Sequence, residues 1–135
     1  MLEKNEIIQS ALQNLKIESL NPMQEAALEQ GTGRKDVILL SPTGSGKTLA
    51  YLLPLLLTLK PNDDSVQVLI LVPSRELALQ IESDAQALTK FSNLHVVTLL
   101  GGVDFDKQKK MLDKNFVDII VATPGRLIDF VKQKE

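Results

Sequence analysis

Cysteine and tryptophan are absent from this 135-residue chain, which holds one histidine, one tyrosine and four phenylalanines. Without cysteine there is no disulfide framework and no thiolate metal site, as expected of a protein kept in a reducing cytoplasm. Neither sign of charge dominates, since 15 Lys and Arg face 17 Asp and Glu for a net charge of −2. That excludes the broad basic footprint of a dedicated nucleic-acid-binding domain, so any contact with nucleic acid has to be local. No apolar run reaches the roughly twenty residues that a membrane span needs, and no membrane partner is expected. The strongly apolar stretch 49–59 reads as a buried helix, kinked or tightened by Pro54. Met1-Leu-Glu-Lys-Asn-Glu6 lacks the basic-then-apolar order of a signal peptide. What remains, 44% hydrophobic and 24% charged without repeats or low-complexity tracts, describes one soluble domain of 1–135 with a core of its own.

The most informative stretch is Ser41-Pro-Thr-Gly-Ser-Gly-Lys-Thr48. It follows the apolar run Val37-Ile-Leu-Leu40 and precedes a helical pattern that opens Leu49-Ala-Tyr-Leu-Leu53. A Gly-rich turn between strand and helix that closes in Gly-Lys-Thr is the signature of a phosphate-binding P-loop. Backbone N–H groups of Ser41, Thr43, Gly44, Ser45 and Gly46 would form an anion nest. The helix N-terminus behind that nest adds roughly half a positive charge. Lys47 would reach the β- and γ-phosphates of a nucleoside triphosphate, and the Thr48 hydroxyl would ligate the Mg²⁺ bridging them.

The rest of the chain alternates strand and helix patterns. Ile7, Ile8, Ala11, Leu12 and Leu15 recur at helical spacing. Asn21 reads as a helix cap with Pro22 in the first helical position, so a helical segment is expected over 5–30. A P-loop α/β unit follows over 36–133, with strands expected at 37–40, 66–72, 94–100 and 117–121. All four strands are nearly continuous apolar runs, the pattern of strands covered on both faces. Helices are expected at 47–59, 75–90, 105–112 and 126–132, the second capped by Ser74. This rhythm predicts an α/β fold: an open parallel sheet of about four strands, right-handed crossovers and helices on both faces.

Ligands of such sheets bind beyond the carboxyl ends of the strands. Those places hold the P-loop, then Pro73-Ser-Arg-Glu-Leu-Ala-Leu-Gln80, then Gly101-Gly102, then Thr123-Pro-Gly-Arg-Leu127. Arg75 and Arg126 could pair with phosphates, while Gly101, Gly102 and Gly125 remove side chains that would block a nucleic-acid backbone. Taken singly, each has a plainer reading: Arg75 as a solvated first-turn residue, Gly101-Gly102 as a turn, Thr123-Pro124 as a helix entry. The lone His95, in an apolar strand without a ligand set, reads as structural. The run of Lys107, Lys109, Lys110 and Lys114 is interleaved with Asp104, Asp106 and Asp113 and reads as a solvated face.

Together and in this order, the four motifs closely resemble the first RecA-like domain of DEAD-box RNA helicases, from about Ile17 nearly to the C-terminus. The resemblance implies a partial RecA-like P-loop domain that holds ATP and Mg²⁺ through its P-loop, with Lys47 and Thr48 as the catalytic contacts. It also implies that Pro73, Arg75, Gly101, Gly102, Thr123, Gly125 and Arg126 hold the sugar-phosphate backbone of single-stranded RNA. Gln24 in Asn21-Pro-Met-Gln24 matches the family's adenine-binding glutamine, whose amide offers both a donor and an acceptor. From spacing alone, Asn21 and Gln24 could instead form a capping box, and the two roles could coexist.

The chain also departs from the family. Its members usually show glycine then an aromatic, and a Pro-Thr pair, ahead of that glutamine; here Lys16, Ile17, Leu20 and Asn21 stand there. The Asp-Glu-Ala-Asp motif, the Ser-Ala-Thr motif and the second RecA-like domain do not occur in these 135 residues. The first supplies the carboxylate for Mg²⁺ and the group that orients water, and the second domain supplies an arginine finger. Nucleotide and weak RNA binding without useful turnover is therefore expected of the chain alone. Lacking the strand of the acidic motif, the sheet is expected to keep an open slot or an apolar edge that favours rearrangement or self-association. An excised or engineered piece of a helicase is the first expectation, and an engineered or recombined non-catalytic α/β scaffold that retains the motifs is the alternative. A small-molecule kinase fits the strand-end motifs less well, and a DNA helicase shares their backbone chemistry.

Overall fold

The computed structural model describes residues 4–16, 18–31, 36–40, 47–59, 65–90, 94–114 and 117–132. They fall into two compact units, Met1–Leu59 with Ala87–Phe91, and Lys60–Gln86 with Ser92–Glu135.

The first unit is helical. α1 (Lys4–Asn14) ends before Lys16, whose φ of 58° is left-handed and whose N–H donates to the Gln13 carbonyl at 3.2 Å. A residue of this conformation closes a helix by turning the chain away from its axis, and glycine fills the place most easily. α2 (Pro22–Gly31) starts at the expected proline, behind Asn21. α3 (Lys47–Thr58) runs through Pro54 and buries Leu49, Ala50, Leu52, Leu53, Pro54 and Leu56. Such a nearly all-round apolar helix must be covered on most sides, and α2 and α1 both pack on it.

One expected strand is not formed. Among the described residues, 37–40 pair with no strand, and Ile38 and Leu40 are 86% and 88% exposed. Extended backbone becomes a strand only when a neighbour takes up its N–H and C=O groups. The sheet of the described residues has three strands rather than about four, and none of them is the run before the P-loop.

The second unit holds that sheet: β1 (Val68–Leu71), β2 (Val96–Leu99) and β3 (Ile119–Ala122), all parallel in the order β1-β3-β2. It also holds α5 (Phe105–Lys114), α6 (Pro124–Lys132) and α4 (Arg75–Thr89) as far as Gln86, the last turn of α4 being counted with the first unit. One sheet face carries Val97 and Leu99 of β2 and Ala122 of β3, which cluster with Val117 and with Phe130 of α6. Phe105, Leu112, Ile120 and Leu127 close over that cluster. β1 is different, because its burial alternates, and Leu69 and Leu71 are about half exposed. The covering helices shield β2 and β3 and leave one face of the edge strand β1 half exposed.

Asp118 ties the three strands together where they begin. Its buried carboxylate accepts from the Gln67 side-chain amide and from the His95 backbone N–H, each at 2.9 Å. Its own N–H donates to the His95 carbonyl, and its carbonyl accepts from Gln67 and Val68. One acidic residue thus sets the starting register of all three strands, and His95 takes part through its backbone.

Candidate nucleic-acid interface and phosphate site

Register and chain order decide what the far end of this sheet displays. Leu71, Ala122 and Leu99 lie at one level, so the chain leaves β1, β3 and β2 along a common edge. Val72 N–H donates to Ala122 O and Thr123 N–H to Leu99 O, which carries the ladder one step beyond the strands.

Past β1, Ser74 caps α4: its hydroxyl accepts from Leu77 N–H at 3.2 Å, and its carbonyl from Ala78 N–H. The cap fixes the helix entry and leaves Pro73 and Arg75 exposed at the edge. Past β2, Gly101 and Gly102 are exposed, and Gly102 has a φ of +81°, a conformation that side chains disfavour. A β-carbon on Gly102 would stand 3.1 Å from Arg75 Nη1, whereas one on Gly101 or Gly125 would meet nothing within 4 Å. Past β3, Pro124 opens α6, and the Thr123 carbonyl accepts from Leu127 N–H.

Arg126, in the first turn of α6, is the most constrained member of the group. Its guanidinium carbon lies 5.6 Å from the centroid of the Phe105 ring, which stacks on Phe130 with centroids 4.3 Å apart. Its Nη1 donates to Gln108 Oε1 at 3.4 Å, and its Nε stands 3.7 Å from Asp129 Oδ2. The side chain is only 12% exposed, and Nε has no hydrogen-bond partner among the described residues. A cation is thus held against an aromatic face with hydrogen-bonding capacity to spare.

Sequence reasoning missed Gln108. It is 3% exposed on α5, and its Nε2 donates to the Leu100 carbonyl at 3.0 Å, immediately before the glycine pair. A signal was present: Gln108 follows Phe105 by three residues and precedes Leu112 by four, where the apolar stripe of the helix calls for an aliphatic residue. Of the lysines on the same helix, Lys107 and Lys110 are exposed and Lys109 is half-buried, so the run is solvated only in part.

The expected nucleotide residues lie in the first unit. Lys47 and Thr48, both half-buried, open α3, whose first turn has no acidic residue to repel a phosphate. Ser41, Thr43, Gly44, Ser45 and Gly46 lie outside the described residues. Gln24 is 5% exposed and forms a reciprocal capping box with Asn21. Gln24 Oε1 accepts from Asn21 N–H at 2.9 Å, and Asn21 Oδ1 accepts from Gln24 N–H at 2.8 Å. Among the described residues, no three His, Cys, Asp or Glu side chains are grouped to hold a metal ion. No helix among them is long and apolar enough to cross a membrane.

A parallel α/β sheet with glycine, arginine and helix-cap turns along its carboxyl edge is a partial RecA-like domain. The yeast DEAD-box splicing factor Prp28 superposes with a TM-score of 0.82 at 31% identity, over 98% of this chain and 34% of that one. Mss116p, solved with single-stranded RNA and AMP-PNP, gives 0.85 at 32% identity over 98% of this chain and 28% of its own. The DEAD/DEAH box helicase profile matches residues 21–135, and the chain belongs to that family. It is 42% identical over 132 residues to the ATP-dependent RNA helicase RhlB of Pseudomonas syringae pv. tomato, covering 93% of this chain and 33% of that protein. The probable ATP-dependent RNA helicase YfmL of Bacillus subtilis is 46% identical over 114 residues, 84% of this chain and 30% of its own. The chain therefore spans about a third of the relatives it matches.

Proposed function

We propose that this chain is the ATP- and RNA-backbone-binding first part of an ATP-dependent RNA helicase, and that alone it binds nucleotide, and RNA weakly, without useful turnover. The observation that carries the reading is the gathering of Arg75, Gly102 and Arg126 along one sheet edge by strands far apart in sequence. Two arginines beside exposed glycines suit a phosphodiester backbone, which demands positive charge and close approach and carries no base identity. Relatives named as ATP-dependent RNA helicases, and a structural neighbour solved with RNA and a nucleotide analogue, support the same assignment.

ATP would be held at the start of α3, its phosphates met by Lys47 and by the N–H groups of the first turn. The Thr48 hydroxyl would help hold Mg²⁺ beside those phosphates, and the ion would supply charge neutralisation there. The Gln24 amide is the proposed adenine contact, and it would have to share its oxygen with the Asn21 cap. A titration with labelled ATP and ADP, with and without Mg²⁺, tests this reading. Saturable Mg²⁺-dependent binding that Lys47→Ala abolishes supports it. Steady hydrolysis at the rate of a complete helicase, lost in Lys47→Ala, would overturn the absence of turnover.

The unpaired segment 37–40 favours a second reading, an α/β scaffold that keeps the motifs without ligand competence. In RecA-like folds that segment anchors the P-loop, and Ile38 and Leu40 stand in solvent instead. No binding at millimolar nucleotide, with the fold intact by circular dichroism, would decide for it. The half-exposed side of the edge strand β1, in a sheet that lacks a strand, is also the proposed site of self-association, which sedimentation at rising concentration checks.

A further inference from the structure

We infer that Gln108 is a positioning residue that couples the two halves of the RNA-backbone site. The inference rests on the reading of these strand ends as RNA subsites. Its carboxamide spans two turns that chain connectivity does not join: Nε2 donates to the carbonyl of Leu100, and Oε1 accepts from Nη1 of Arg126. The first bond fixes the exit of β2 immediately before Gly101-Gly102, and the second holds the cation that follows β3.

Burial makes the geometry exacting. Gln108 is only 3% exposed, so its carboxamide is held by its partners, and turning it over would set its NH₂ against a guanidinium and its oxygen against a carbonyl. Only one orientation satisfies both ends, so a displacement of Arg126 reaches the glycine turn through a single planar group. Phe105 limits the movement of Arg126 on its ring side, and the 3.4 Å length of the Gln108 bond leaves the cation able to turn toward a phosphate. A phosphate bound by Arg126 would draw on the same group that orients the glycine turn, so the two contacts act as one.

The test uses the full chain, with nitrogen-15 NMR and a fluorescein-labelled oligouridylate. Gln108→Leu removes both bonds, Gln108→Glu keeps an acceptor for Arg126 and loses the donor to Leu100, and Arg126→Ala acts from the opposite end. Gln108→Leu is expected to shift the Gly101 and Gly102 amides and the Arg126 Nε–H, and Arg126→Ala to shift the glycine amides. Gln108→Glu should move the glycine amides while leaving Arg126 Nε–H near its original position. Gln108→Leu should weaken oligouridylate about tenfold and flatten the slope of log affinity on log salt by about 0.7, as Arg126→Ala does. The double variant should be little worse than either single one. A purely structural glutamine would lower the melting temperature and leave the salt slope unchanged, and that result overturns the inference. So do glycine amides unmoved in Arg126→Ala, which remains readable if Gln108→Leu does not fold. If the unmodified chain fails to bind oligouridylate, the RNA reading falls while the amide shifts still decide the coupling.

Discussion

Arg75 Nη1 stands 3.1 Å from where a β-carbon on Gly102 would lie, although β1 and β2, which lead to these residues, are not neighbours in the sheet. The arginine reaches across the end of β3, two strand spacings or roughly 10 Å, to rest against a glycine in a left-handed turn. Gly102→Ala should therefore act twice. The backbone strain of alanine at a φ of +81° should cost about 1–2 kcal/mol and lower the melting temperature by a few degrees. The new methyl group should also push the flexible end of Arg75 aside, visible as a shift of its side-chain N–H resonance. An unchanged melting temperature would show that the turn does not hold this conformation.

Asp118 accepts two hydrogen bonds in a buried position from elements that flank it on both sides. Asp118→Asn would turn an NH₂ group toward one of those part-buried donors, leaving it without its acceptor at a cost of about 1 kcal/mol. Urea denaturation should show a lower midpoint with an unchanged slope. Gln67→Ala should cost less, because it removes a donor and leaves the His95 bond intact.

The Asn21–Gln24 box separates a structural role from a ligand role. Asn21→Ala and Gln24→Ala should each destabilise the chain by about 1 kcal/mol, and together by less than the sum. Under the proposed function only Gln24→Ala should also erase a preference for ATP over GTP. Equal nucleotide effects in both variants would assign Gln24 to the cap alone.

Lys16→Gly should stabilise the chain. A lysine at φ 58° carries strain that glycine does not, and the gain should be about 0.5–1 kcal/mol in thermal or chemical denaturation. Family members usually place glycine there. A loss of stability would mean that the lysine side chain, half aliphatic, contributes more by covering its surroundings than the backbone strain costs.

Local sequence determined the helix entries and the identity of the strand-end turns. Pro22 and Pro124 occupy first helical positions, Ser74 caps α4, the expected strands at 66–72 and 94–100 contain β1 and β2, and the one at 117–121 overlaps β3, which ends one residue later at Ala122. These features are legible because capping and apolar runs involve residues within a few positions of one another. Arg75, Gly102 and Arg126 were legible as candidates for the same reason, each lying just past an apolar run.

Only the tertiary structure decided the order β1-β3-β2, the exclusion of 37–40 from the sheet, and the part played by Gln108. Strand pairing is a choice among distant partners, and an apolar run such as Val37-Ile-Leu-Leu40 has a strand's composition whether or not a neighbour exists to receive its hydrogen bonds. The two partners of Gln108 lie 8 and 18 residues away, so its polarity within an apolar stripe signalled something without saying what. Composition and spacing fix what a segment can do, and the neighbour that folding brings to it fixes which of those things it does.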